Sequence, residues 1–253
     1  MANAAPLARD SLTGISSMAT RKLLADLCLA WARAGGAAAR FESVGGVEAA
    51  RRVRAGERFD LVVLDQRAIA ELAAAGHVVA EGRTVIAASS VAVAVTRGWP
   101  HPEIGSEAAL REAVLAAPRI AYSTGPSGTA LMKLFERWGM AEHLRERLVQ
   151  APPGTPVASL LASGRAELGF QQLSELHNEP GIELLGLLPP ALAIVTTFVG
   201  AVSPHSTRAD AATALLAFMT SPAAAEIKRR HGLSDAPRRE ATDSSLDPFV
   251  RAP

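Results

Sequence analysis

Two periods of apolar and polar residues alternate along this chain. Leu23, Leu24, Leu27 and Trp31 recur at helical spacing and predict a helix from about Met18 to Ala34, ended by Gly35-Gly36. The alternation Ala39, Phe41, Ser43 predicts a strand, and Ala49, Val53 and Ala55 mark the helix after it. Phe59 to Leu64 (FDLVVL) is a continuous apolar run, the pattern of a strand covered on both faces, and Ile69, Leu72 and Ala73 begin a further helix. A weak first strand is expected over residues 7–13, leading into a turn Thr13-Gly14-Ile15-Ser16-Ser17. Later in the chain, Glu107 to Leu115 and Pro156 to Leu161 read as helices. Leu148-Val149, Ala166 to Phe170 and Ile182 to Leu187 read as strands. Helices containing Ala212 to Phe218 and running from Pro222 to Arg230 complete the pattern, and residues 235–253 read as a loose Pro-, Ser- and Arg-rich tail.

Strands alternating with helices imply parallel sheets with right-handed crossovers, whose ligands sit beyond the carboxyl ends of the strands. Small polar turns recur at such ends. The most developed lies in Arg119 to Trp138 (RIAYSTGPSGTALMKLFERW), where a short strand runs through Ser123, Thr124, Gly125, Pro126, Ser127 and Gly128 into a helix carrying Leu131, Leu134, Phe135 and Trp138. Strand, polar turn and helix aim backbone N–H groups and a partial positive charge at one point. The turn has no Lys or Arg, so an anion held there is gripped by amides and hydroxyls. Ser16 and Ser17, then Ser43, Gly45 and Gly46, and finally Gln171 and Gln172 after their strand, complete a set expected to converge on one cleft between two lobes. The competing reading makes the serines helix caps and the glycines turn-formers.

The long β-rich runs Thr84 to Val95 and Ala193 to Val202 read as outward and return crossings. They divide the chain into one lobe of residues 1–86 and 200–253 and a second of residues 87–199.

Composition removes several classes of function. Basic and acidic residues number 26 and 25, the net charge is +1 and aromatics make up 4%, so neither a nucleic-acid footprint nor a base-stacking platform is present. Cys28 is the single cysteine, which excludes an intrachain disulfide and places the residue in a core. No apolar stretch is long and clean enough for membrane insertion. The first residues, MANAAPLARD, lack the basic segment and apolar run of a secretory signal. A periplasmic location is therefore expected if the chain is a processed form, and a cytoplasmic one if Met1 is the native start. No spacing of His, Asp, Glu or Cys suggests a metal site or a catalytic triad, and no cofactor is expected. Asp65 is a weak candidate for a general base, with capping of the next helix as its simpler role. His77 reads as a surface or helix-end residue, Glu175 and His177 as solvated, and Arg21 as exposed on the first helix.

The early Ser-Ser before a helix, FDLVVLDQ, YSTGPSGTA, SGRAELGF and the closing FMTSPAAAEIKRRHGL stand in an order that resembles the bacterial extracellular solute-binding proteins, in the branch containing molybdate-binding proteins. The resemblance runs from about Thr13 to Leu233. It implies an α/β, two-lobed periplasmic-binding-protein type II fold, each lobe a mostly parallel sheet flanked by helices, with two crossovers. It also implies a small anionic ligand (an oxyanion or an organic di- or tricarboxylate) and a membrane permease as partner in a transport system. The molybdate-binding members usually carry a serine pair where this chain has Gly45-Gly46, and a tyrosine where it has Gln171-Gln172. Those departures suit a larger, less symmetric ligand than a tetrahedral oxyanion. Some members similar to this branch are cofactor-free isomerases that interconvert cis- and trans-aconitate, which supplies an enzymatic alternative. A ligand sensor made of this fold alone is the third class, without nucleic-acid contact because the two lobes leave no residues for a helix-turn-helix.

Overall fold

A computed structural model describes residues 11–235; the tail expected over 235–253 lies, beyond its first residue, outside the described residues. The described chain forms two compact units. One takes the chain as far as Ala87 and again from Thr197; the other is Ala88–Thr196.

The first unit is built on β1 (Leu12–Ser17), β2 (Ala39–Val44), β3 (Leu61–Asp65) and part of β9 (Val195–Val202), in the order β2-β1-β3-β9. The first three strands are mutually parallel, and β9 runs antiparallel to β3. Helices α1 (Arg21–Arg33), α2 (Gly46–Arg54), α3 (Gln66–Ala74), α9 (Ala209–Met219) and α10 (Pro222–Arg230) cover it. Alternate residues of β3 divide between two cores, as period-2 geometry requires. Leu61 and Val63 pack with Leu23, Leu24 and Leu27 of α1 and Leu215 and Leu216 of α9. Val62 and Leu64 pack with Ala49 and Val53 of α2 and Ile69 and Leu72 of α3.

The second unit contains most of β4 (Thr84–Thr96), with β5 (Ile120–Tyr122), β6 (Leu148–Gln150), β7 (Leu168–Gln172) and β8 (Ile182–Leu187), in the order β4-β7-β5-β6 with β8 also on β4. β5 is parallel to β6 and β7, while β4 is antiparallel to β7 and β8. On one face Leu168 and Phe170 pack with Leu131, Leu134 and Phe135 of α5 (Pro126–Arg137) and with α4 (Glu107–Ala116). On the other, Ala92, Ala94 and Ala121 pack with Val157 and Leu161 of α7 (Val157–Ala162) and Leu176 of α8 (Leu173–Leu176). A short helix α6 (Ala141–Leu144) follows α5 and buries Leu144.

Three expectations need correction. The first strand is Leu12–Ser17, so the segment read as a turn is an interior strand of its sheet, paired on both edges. Residues 7–10 of the expected strand lie outside the described residues. Gly14 belongs in that strand for a steric reason: a Cβ there would meet the Phe41 ring at 2.3 Å. Pairing on both edges overrides the turn preference of Gly and Ser. Gln171 and Gln172 are the last residues of β7, paired with Ala92 and Val91, and do not lie beyond the strand. Finally, the sheets are mostly and not wholly parallel: β2-β1-β3 and β6-β5-β7 are parallel, whereas β4 and β9, on which the chain passes between units, are antiparallel to their neighbours.

Candidate functional site

In the first unit the carboxyl ends of β1 and β2 bring Ser16 and Ser43 together. Their register pairs them directly, and both side chains leave the sheet on the face covered by α1. The hydroxyls lie 2.8 Å apart, with Ser16 fully buried. Ser17 points to the opposite face, where its Cβ lies 3.7 Å from the Cβ position of Gly46. Its hydroxyl is buried and makes no hydrogen bond, while its carbonyl accepts from the Thr20 hydroxyl at 3.1 Å. Gly45 precedes α2 as its N-terminal cap residue and has no side chain with which to cap it. The 3.7 Å spacing is ordinary van der Waals contact, so packing alone does not require glycine at position 46.

In the second unit β5 ends at Tyr122 and α5 starts four residues later with Pro126 at its first turn, where the missing N–H costs nothing. The hydroxyls of Ser123 and Ser127 are 3.0 Å apart, and Ser127 is buried. The N-terminal cap residue of α5 is Gly125, and Ser127 lies inside the first turn, so Ser127 is not its cap residue. Gly128 is a steric necessity, since a Cβ there would sit 1.8 Å from the Ser123 carbonyl oxygen. Gly125 has an extended backbone, φ −82° and ψ −172°, and open space where a Cβ would be. Thr124 is exposed at the tip of the turn.

The two glutamines separate. Gln171 lies on the face of β7 that carries α7: its Oε1 accepts from Val157 N–H at 2.8 Å, capping that helix, and its Nε2 donates to Glu175 at 2.8 Å. Both ends of this amide are therefore committed within the protein, and Glu175, expected to be solvated, is its acceptor. Gln172 lies on the face that carries α5. Its Nε2 donates to the Thr196 hydroxyl, and its buried Oε1 makes no hydrogen bond.

Elsewhere the simpler readings hold. Asp65 caps α3, with Oδ1 accepting from Ala68 N–H at 3.0 Å. The backbone N–H of His77 closes the end of the same helix on Leu72 O, and Arg21 is exposed. Cys28 is buried, which pushes its thiol pKa up to about 12, so it is a core residue and not a nucleophile. Among the described residues no group of three His, Cys, Asp or Glu could hold a metal ion, and no helix is long and apolar enough to cross a membrane. Sequence patterns had not indicated Thr196, or the buried pair Ser89 and Ser174 with hydroxyls 3.3 Å apart; only strand pairing brings them to these positions.

What these features define is a class. The family of bacterial extracellular solute-binding proteins matches residues 12–234, and the chain belongs to it. Within that class it is 35% identical over 187 residues to an aconitate isomerase of Pseudomonas sp, spanning 74% of this chain and 71% of that protein. Among solved structures, the periplasmic molybdate-binding protein of Azotobacter vinelandii superposes with a TM-score of 0.74 at 19% identity, over 88% of this chain and 98% of that one. The sulfate-binding protein SubI of Mycobacterium tuberculosis H37Rv gives 0.74 at 16% identity, over 91% and 88%. The fold is thus the two-lobed fold of periplasmic binding proteins.

Proposed function

We propose that this chain binds a small organic polycarboxylate, with the Ser16–Ser43 pair of the first unit and the Ser123–Ser127 pair of the second as anion-binding hydroxyls, each within its own unit, in the manner of a substrate-binding protein that delivers its solute to a membrane permease. The observation that carries this reading is the pairing of serine hydroxyls at strand ends, 2.8 Å and 3.0 Å apart, the second pair in the turn that enters α5 behind its glycine cap residue. In the Ser123–Ser127 pair one hydroxyl donates to the other and the second proton is free; the Ser16 hydroxyl also has the Ser17 carbonyl at 3.3 Å as an acceptor, so in that pair the Ser43 proton is free when Ser16 supplies the bond between them. Neutral hydroxyls and helix N-terminal amides hold an anion without a counter-charge. The molybdate- and sulfate-binding neighbours support an anionic ligand, and the aconitate isomerase relative supports a tricarboxylate.

That relative also favours a second reading, in which the chain isomerises the bound acid. A base takes a proton from the methylene carbon, the electron pair moves through the allylic system, and a proton returns at the far carbon, so the double bond shifts with no net change in composition. Hydrogen-bonded carboxylates stabilise the intermediate charge.

One set of measurements tests both. Thermal shifts and calorimetry with molybdate, tungstate, sulfate, succinate, tricarballylate and both aconitates should show stabilisation by carboxylates, growing with the logarithm of excess over Kd. Submicromolar binding of molybdate would overturn the carboxylate reading. Proton NMR of trans-aconitate incubated with the protein reports isomerisation directly: growth of cis resonances establishes the second reading, and an unchanged spectrum removes it.

A further inference from the structure

Gln172 is 4% exposed, and it sits at the end of the strand beside the Ser123–Ser127 turn. The β5–β7 register pairs Tyr122 with Phe170, which sets Gln172 level with the turn residue Thr124. Phe170 packs on Phe135 of α5, so Gln172, two residues on, leaves the sheet on the same face. Its amide is polarised by its one internal partner: Nε2 is committed to the Thr196 hydroxyl, and Oε1 is left as a buried acceptor with no donor. A buried acceptor without a partner is costly, and the cost is relieved when a bound molecule supplies the donor. Its neighbour Gln171 offers no such group, because both ends of that amide are bonded.

We propose that Gln172 is a specificity-determining residue that reads a hydrogen-bond donor on the ligand, so that the site prefers a hydroxy-polycarboxylate to the same acid without its hydroxyl. The proposal rests on the carboxylate-binding reading given above and deepens it. Serine hydroxyls and amides donate to carboxylate oxygens; with Nε2 of Gln172 on Thr196, Oε1 is the end of the amide left to accept from the ligand hydroxyl. A site that pairs a substrate hydroxyl discriminates strongly, because the analogue lacking it leaves the buried acceptor unpaired.

Matched acids test this, with citrate against tricarballylate and malate against succinate, each pair differing by one hydroxyl. Calorimetry on the full chain should give citrate or malate an advantage of about tenfold or more over its partner. Gln172→Met keeps the side-chain length and removes the acceptor, so the advantage should fall to near unity, with the affinity for the acid lacking the hydroxyl little changed. Thr196→Val leaves the glutamine in place but frees Nε2, so the amide can turn over and the advantage should shrink or reverse; this variant serves if Gln172→Met does not fold. Equal binding within each pair by the wild-type protein, a preference for the acid without the hydroxyl, or an advantage that survives Gln172→Met in a folded protein would overturn the proposal while leaving carboxylate binding intact. Failure of all four acids and both aconitates to bind would overturn the carboxylate reading and this proposal with it.

Discussion

Gly125 and Gly128 show how far residue-scale reading reaches. In the sequence they look equivalent, two glycines of one polar turn. In the structure Gly128 is required by backbone packing against Ser123, whereas Gly125 has an ordinary extended backbone and free space around its Cβ position. Gly128→Ala should therefore destabilise the fold, by about 1–3 kcal/mol on the scale of overpacking, as a thermal or urea melt would show. Gly125→Ala should fold normally, so any loss of ligand affinity there reports obstruction of the approach to α5. Ser127→Ala separates the two roles a turn serine can have. Because Ser127 does not cap α5, its loss should leave stability nearly unchanged. Loss of a hydrogen bond to a charged ligand costs about 1.5–3 kcal/mol, an affinity drop of roughly tenfold to a hundredfold. Lowered stability with unchanged affinity would contradict both expectations. The pairing of Ser16 with Ser43 was within reach of the sequence because the ends of neighbouring parallel strands lie side by side; the unequal roles of the two glutamines were not. Adjacent residues of a strand point to opposite faces, and which face meets α5 and which meets α7 depends on packing far away in sequence.

Elements were legible where the apolar period was strong and illegible where pairing overrode it. FDLVVL announces β3 by itself, and the helical spacing around Leu23 and Leu131 announces α1 and α5. β1, with Gly14, Ser16 and Ser17 among its six residues, is held by neighbours on both sides and by Asp60 just before β3. Asp60 accepts from the Thr13 N–H at 2.8 Å, the Thr13 hydroxyl at 3.1 Å and the Ser206 hydroxyl at 2.7 Å, tying β1 and the segment before α9 to β3. Burial pushes the Asp60 carboxyl up, but these hydrogen bonds outweigh it and hold the group below the usual carboxylate range. A carboxyl whose folded pKa is depressed stabilises the fold fully above its unfolded pKa of about 3.9, and that contribution disappears as pH falls through the folded value. Asp60→Asn should cost about 1.5–3 kcal/mol at neutral pH. The stability gap between wild type and variant should then close as the pH is lowered below about 4. A gap that stays constant from pH 7 to pH 3 would mean that the charge of Asp60 contributes nothing to the fold.

At the scale of the whole molecule, both passages of the chain between units fall inside the β-rich runs, at Ala87–Ala88 within β4 and at Thr196–Thr197 within β9. The division is asymmetric in a way that has consequences for folding. Among the described residues, the cores of the second unit draw on residues between Val91 and Ile194, a continuous stretch of chain. The cores of the first unit join Leu12 to Ala87 with Phe198 to Leu233, so that Leu215, Leu216 and Met219 of α9 and Ile227 of α10 close a surface whose other half is made much earlier. The second unit, Ala88–Thr196, is within the usual size of an independently folding domain. It should fold in isolation, with a cooperative melt and dispersed amide resonances. A chain cut after Thr196 should keep that unit folded and lose the first, because β3 would lack its antiparallel partner β9 and the α1 face would lose α9 and α10. Adding residues 197–253 back as a separate peptide should restore the missing transition, at a concentration set by the affinity of the two pieces. Loss of structure in the isolated 88–196 segment would show instead that its two cores depend on the rest of the chain, and that the two units fold as one.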